Sequence, residues 1–388
     1  MNYNMETAER MGITGELGWI NLYPKFSPNG DLWQNEPISY EDLEYFCAKV
    51  FSTESSLAFL RFFHTLKDLP CSHEYCKILK KYADYKKTNL PSPKTKEYLK
   101  VAENGAILED NKLIKAKYIQ GNFERNGDFI ECDNTFSRQS GAFRIDAMCS
   151  ASEYDNPDAI TLCSLSEDDF IENKTIRFDT PLDSKGRRGI GVWCCGDNSG
   201  AVVCIGIRDF ASNAQKNSLH FIKVNFTGWR YFAFYEPQNG SVPHEVYPRK
   251  ELSYKSYNDL QNFYHHYRVN INYSAIHGVD ISVKGSGKIR LKDIRLLPHV
   301  ERSWTNPTIK TDVSELKIFT ELKAKHIISF DGNECLITDW KGNLIEKPEY
   351  EGEFIIPEGK SKISMSCDGE EELTRAKITV TLKGEQLQ

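Results

Sequence analysis

From Ile107 to His299 the chain alternates apolar and polar residues over short runs, each ending at Gly, Asn or Asp. Nine such runs can be read: GAFRIDAMC, KTIRFDTPL, RGIGVWCCG, SGAVVCIGIRDF, LHFIKVNF, WRYFAFYE, YRVNINYSAI, VDISVKGSG and KIRLKDIRLLP. A period of two places successive side chains on opposite faces of a strand, so each run offers one face to a core. Many short strands of this kind pair into antiparallel sheets packed face to face.

The flanking regions read differently. Between Ile38 and Tyr85 the spacing is helical. SYEDLEYFCAKVF has Ser39 before an acidic first turn and apolar residues at Leu43, Phe46, Cys47 and Val50. A second helix is expected from Ser52 through STESSLAFLRFFHTLKDL, with Leu57, Leu60, Phe63 and Leu66 as its buried stripe, and a third over CSHEYCKILKKYADYKK. These helices are too short to form a domain alone and must pack on something else. TNLPSPKTKEY, carrying Pro91 and Pro93, breaks the pattern and marks a linker. Beyond Pro307, ELKIFTE, KHIISFDG, ECLITDW, EGEFIIPEGKSKISMSC and AKITVTLKG return to strand texture. The expected architecture is mainly β and multidomain. It has a helical N-terminal segment over 1–100, a central antiparallel β-sandwich of the jelly-roll kind over 105–302, and a small immunoglobulin-like β-sandwich over 305–388.

Charge and cysteine usage narrow the function. A formal net charge of −6 opposes nucleic-acid binding and gives no basic attraction to a membrane. No segment has the apolar length of a membrane span. The cysteines number 11, odd and scattered, as in a reduced protein, and MNYNMETAERMGITGELG lacks an apolar run after a basic start. Both point to the cytoplasm. The adjacent Cys194 and Cys195 should face opposite sides of one strand and serve packing.

GDNSG, at 196–200, has the composition of a hairpin turn; no Lys follows it to make a phosphate loop. In FTGWRYFAF, alternation groups Trp229, Tyr231 and Ala233 against Arg230, Phe232 and Phe234, and Trp229 is expected to pack across a sheet. The segment YPRKELSYKSYNDLQNFYHHYRVN gathers Tyr247, Arg249, Tyr254, Tyr257, Asn258, Tyr264 and His266. Aromatic faces beside side-chain donors and acceptors suit a hydroxyl-rich ligand, and these seven are the candidate binding residues. No G-x-S-x-G, H-E-x-x-H or Walker pattern occurs, and no carboxylate pair is marked by its surroundings, so no catalytic residue is assigned.

Gly196, Asp197, Ser199, Gly200, Phe226, Gly228, Trp229, Arg230, Asp293 and Ile294 together give the central region a further reading. A strand entering G-D-x-S-G, an F-x-G-W-R strand and a closing strand with Asp before Ile make this region resemble a galactose-binding-like jelly-roll carbohydrate-binding module. The resemblance implies an oligo- or polysaccharide partner and noncatalytic binding accessory to glycan degradation. It also implies a structural calcium, for which Asp293 and Glu124 are the candidate ligands, with Asp128 and Glu131 as further early carboxylates. GITGELGWINLYPKF resembles the last β/α portion of a (β/α)8 glycoside hydrolase barrel, with a short strand near Gly18 to Leu22, and the resemblance implies Glu16 as the relic of a site. That implies a catalytic glycan-degrading chain as a second partner and secretion if the chain is a fragment. A third reading, a structural adhesion or assembly protein, stays open.

Overall fold

A computed structural model describes residues 16–20, 39–52, 56–59, 71–101, 103–123, 127–148, 150–184, 186–208, 218–235, 273–300, 302–369 and 375–387. The fold is mainly β, with several antiparallel sheets and three described helices. It divides into two compact units: Met1–Pro24, Pro37–Met148 and Arg302–Gln388 form one, and Lys25–Glu36 with Cys149–Glu301 the other.

The unit containing Cys149–Glu301 is a two-sheet sandwich. One sheet runs Lys174–Leu182, Ile276–Lys284, Val202–Arg208, Ser218–Lys223, and the other Thr227–Tyr235, Arg187–Asp197, Ile294–Val300, Ser150–Ala151. Alternation sends Val203, Ile205, Ile207, Val279 and Ile281 from the first sheet, and Ile190, Val192, Cys194, Ile294 and Leu296 from the second, into a common core. Cys194 is fully buried there, whereas Cys195 is turned the other way and accepts a hydrogen bond from Arg290 at 3.3 Å, so the expected divergence of the pair holds. GDNSG is a turn, with Asn198 and Gly200 at φ 58° and 74°. It joins strands of two different sheets, however, and so is an arch and not the expected hairpin.

The other unit is also built on two sheets. Six strands, with Glu315–Ile318, Ser303–Lys310, Gly359–Asp368 and Phe129–Asn134 as consecutive neighbours, face seven that include His326–Phe330, Ala142–Met148, Arg375–Gln386 and Lys112–Phe123. Trp304, Ile309, Ile363, Met365, Ile145, Ile378 and Val380 fill the core. The sheets approach closely at Gly121, where a Cβ would lie 2.1 Å from Ile130.

The strands of 105–148, expected in the central sandwich, instead pair with those after 302. Lys112–Phe123 and Ala142–Met148 flank Arg375–Gln386, and Phe129–Asn134 lies beside Gly359–Asp368. The segment 305–388 is thus not a separate sandwich. Its strand Arg375–Gln386 needs partners from both sides that lie more than two hundred residues earlier, a pairing that alternation within a strand cannot specify.

Helix Tyr40–Phe51 starts at Ser39 with a reciprocal capping box to Asp42. Leu43, Cys47, Ala48 and Phe51 pack with Tyr75 and Tyr82 of helix Ser72–Thr88 onto Ala106, Leu108 and Leu113 of the seven-stranded sheet. That sheet is what the helices pack on. The expected linker contains a third helix, Pro93–Lys100, because Ser92 caps it and proline is well tolerated in a first helical turn.

The helix expected from Ser52 is overturned at Ser56–Phe59, which is a strand parallel to Glu16–Ile20. This is the one parallel pair among the described strands, and helix Tyr40–Phe51 lies between its members in sequence. The early strand falls at Glu16–Ile20 rather than Gly18 to Leu22. Leu60, Phe63 and Leu66 of the expected stripe lie outside the described residues. No described helix is long and apolar enough to cross a membrane.

Candidate functional site: an aromatic and basic sheet face

Three neighbouring strands of the Cys149–Glu301 sandwich build one outward surface. Trp229 is paired with Cys195, and Cys195 with Arg290. One row along, Tyr231 is paired with Trp193; a further row brings Ala233, Gly191 and Arg295 side by side. Directly opposed residues share a face, so rows about 7 Å apart carry Trp229, then Tyr231 with Trp193, then a small-residue floor. Phe232 and Phe234 turn into the core side, which confirms the expected grouping.

The expectation that Trp229 packs across a sheet is corrected: it is 37% exposed. Its ring is flanked by the Arg290 guanidinium at 5.6 Å and the Lys292 ammonium at 5.2 Å. Lys292 is held by Glu167 at 2.9 Å. Trp193 and Tyr231 lie 5.4 Å apart at 41°, and Tyr154 meets Tyr231 edge-on at 6.0 Å. Arg295 sits 4.5 Å over Tyr154, donates to the Tyr154 carbonyl at 3.0 Å, and keeps a buried Nε with no hydrogen-bond partner among the described residues. Gly191 is required by this packing: a Cβ there would come within 3.0 Å of the Tyr231 hydroxyl and 2.7 Å of Leu297.

Burial pushes the Tyr154 hydroxyl up to about 12, with Arg295 opposing, so Tyr154 stays a neutral donor, here to the Asp293 carbonyl at 2.7 Å. Hydrogen bonds from Ser199 and the Lys288 N–H hold the Asp197 carboxyl below the usual range. The surface therefore offers flat apolar rings, fixed cationic donors and a neutral phenol, the inventory that a hydroxyl-rich ligand uses.

Of the residues singled out in the sequence, Tyr247, Arg249, Tyr254, Tyr257, Asn258, Tyr264 and His266 lie outside the described residues, as does Glu124. Asp293 accepts the Leu165 N–H at 2.8 Å, a turn-capping role. No group of three His, Cys, Asp or Glu that could hold a metal ion occurs among the described residues, and the calcium expectation, which pairs Asp293 with Glu124, reaches outside them. Sequence reasoning missed Trp193, Tyr154, Arg290, Lys292 and Arg295. The signal was present in KIRLKDIR, where Ile289, Leu291 and Ile294 fill the core and the basic residues Arg290, Lys292 and Arg295 gather on the aromatic face.

No protein-family model matches the chain, and no curated protein matches it. Among solved structures there is a likeness to the Endo-D glycoside hydrolase domain from Streptococcus pneumoniae R6, with a TM-score of 0.17 and 8% identity. It covers 65% of this chain and 40% of that one, too weak a superposition to carry an argument.

Proposed function

We propose that the Cys149–Glu301 sandwich is a jelly-roll carbohydrate-binding module, acting without catalysis as an accessory to glycan degradation. The observation that supports this reading is the outward row of Trp193, Trp229 and Tyr231 beside Arg290, Lys292 and Arg295. Rings stack on the C–H faces of a pyranose while fixed cations and the phenol meet its hydroxyls. Tyr247, Arg249, Tyr254, Tyr257, Asn258, Tyr264 and His266 belong to the reading as further ligand contacts.

Calorimetry of the full chain against a panel of plant and host oligosaccharides tests it. Saturable binding that weakens at least about tenfold in Trp229→Ala, with an unchanged melting temperature, is the expected outcome. Silence at millimolar ligand from the folded wild type rejects it and leaves a structural assembly role. Tyr257→Ala and Tyr264→Ala extend the test to the segment after Tyr235.

The parallel pair Glu16–Ile20 and Ser56–Phe59, with a helix between them in sequence, favours a second reading, in which the chain works with a catalytic (β/α)8 barrel. Turnover of chromogenic glycosides by this chain alone would overturn the noncatalytic reading.

A further inference from the structure

The unit containing Arg302–Gln388 has its own cavity, of about 610 Å³, between helices Tyr40–Phe51 and Ser72–Thr88 and the face of the seven-stranded sheet turned away from the sheet–sheet core. Strand Ala142–Met148 explains how a charge reaches its floor. Phe143 and Ile145 enter the core, so the alternate Arg144 faces the helices. Arg144 is only 6% exposed. Its Nε lies 3.1 Å from both Asp146 oxygens, and its Nη2 donates at 2.8 Å. The remaining nitrogen, Nη1, has no hydrogen-bond partner among the described residues.

Three polar atoms of residues lining this cavity are buried with no hydrogen-bond partner among the described residues: Glu41 Oε2, Glu44 Oε2 and the Tyr118 hydroxyl. A buried polar atom left without a partner is costly, and several converging on one cavity are the signature of an expected guest. The walls are aromatic, with Tyr40 and Tyr75 at 5.2 Å and Phe330 opposite the helices.

Charge decides the class of guest. Arg144 is neutralised by Asp146. At the rim Glu74 pairs with Lys77, Glu109 with Lys383 and Glu334 with Lys347, at 2.7, 2.7 and 2.6 Å. Asp331 and Asp339 each accept two backbone N–H groups at 2.8–2.9 Å. Burial pushes the Glu41 carboxyl up, with the Arg144 guanidinium opposing, which favours a neutral acid that can donate and accept. An anion finds its cation already paired, and a cation finds Glu41 favoured in its neutral form and Glu44 already held by Lys81 at 2.9 Å.

We propose that this cavity is a second ligand site, for a neutral hydroxyl-bearing ring such as a single pyranose, held by Arg144 Nη1, Glu41 and Tyr118 against the aromatic wall. It shares the ligand class of the module reading but none of its residues.

The test uses the full chain carrying Trp229→Ala, which silences the outward sheet face. Glucose, galactose, mannose and N-acetylglucosamine are titrated by calorimetry, beside choline as a cation and glucuronate as an anion. Saturable binding of a neutral sugar, weakened about tenfold by Glu41→Ala and several-fold by Tyr118→Phe at unchanged melting temperature, is expected. Binding of choline or glucuronate alone overturns the neutral class. No binding in the Trp229→Ala chain, or neutral-sugar binding indifferent to both variants while they stay folded, overturns the site. Because the sheet-face reading is judged in the wild type against Trp229→Ala, the two can fail separately.

Discussion

The sandwich of Cys149–Glu301 draws its described strands from one continuous stretch, whereas its counterpart takes them from 105–148 and then from 302–387. Both pack two sheets around an apolar core, yet they differ in what holds them in register. In the first, Val202–Arg208 and Ser218–Lys223 lie close in sequence and pair with each other. In the second, Gln120 meets Thr379 across 259 positions. Loop-closure entropy rises only slowly with separation, so such distant pairing costs little stability but much in folding rate.

Cutting the chain should have the largest effect. Residues 150–300 expressed alone should unfold in one cooperative urea transition. Residues 305–388 alone should show none, because Ile378 and Val380 lose strand partners on both sides and Leu382 on one. A cooperative transition from 305–388 would restore the independent small sandwich that the sequence suggested.

Point changes should act on one sandwich at a time. Trp304→Ala removes a side chain that is 1% exposed and should cost about 3–5 kcal/mol, read as a drop in one urea transition only. Ile205→Ala, fully buried in the other core, should move the other transition by about 2–5 kcal/mol. Gly121→Ala should cost less, about 1–3 kcal/mol, since the sheets must separate to clear Ile130. An unchanged midpoint would mean that the sheets yield easily there.

The smallest effect is a pH dependence. Lys49 is wholly buried, its ammonium donating to the Leu99 and Val101 carbonyls, and burial pulls it down to about 8. Between that value and the ordinary lysine value the unfolded chain binds more protons than the folded one, so this group's contribution to stability rises with pH above 8. Wild type should gain on the order of 1 kcal/mol relative to Lys49→Met between pH 8 and 10, measured by urea midpoints. A constant difference would show that Lys49 titrates normally.

How much was legible in the sequence follows from which interactions are local. KTIRFDTPL became the strand Lys174–Leu182 residue for residue, and the Ser39 cap and its helix stood where the spacing put them. Alternation also sorted Trp229 from Phe232 correctly. It could not say which side was water, because that depends on the neighbours at Trp193 and Arg290. SLAF at 56–59 fits a period of two as well as a helical stripe, and pairing with a distant strand decided it. The cavity around Arg144 was illegible for the same reason: Glu41, Tyr118 and Arg144 are far apart in the chain and meet only after the sheet has formed.

The two-segment sandwich also has a consequence for synthesis on the ribosome. Strand Ala142–Met148 emerges long before Arg375–Gln386, its neighbour in the finished sheet. At about 5–20 residues per second the earlier strand waits tens of seconds with an open edge, while all of 150–300 has already emerged. The inserted unit can thus be folded before its host begins to close, and a nascent-chain chaperone would meet the strands of 105–148 during that interval.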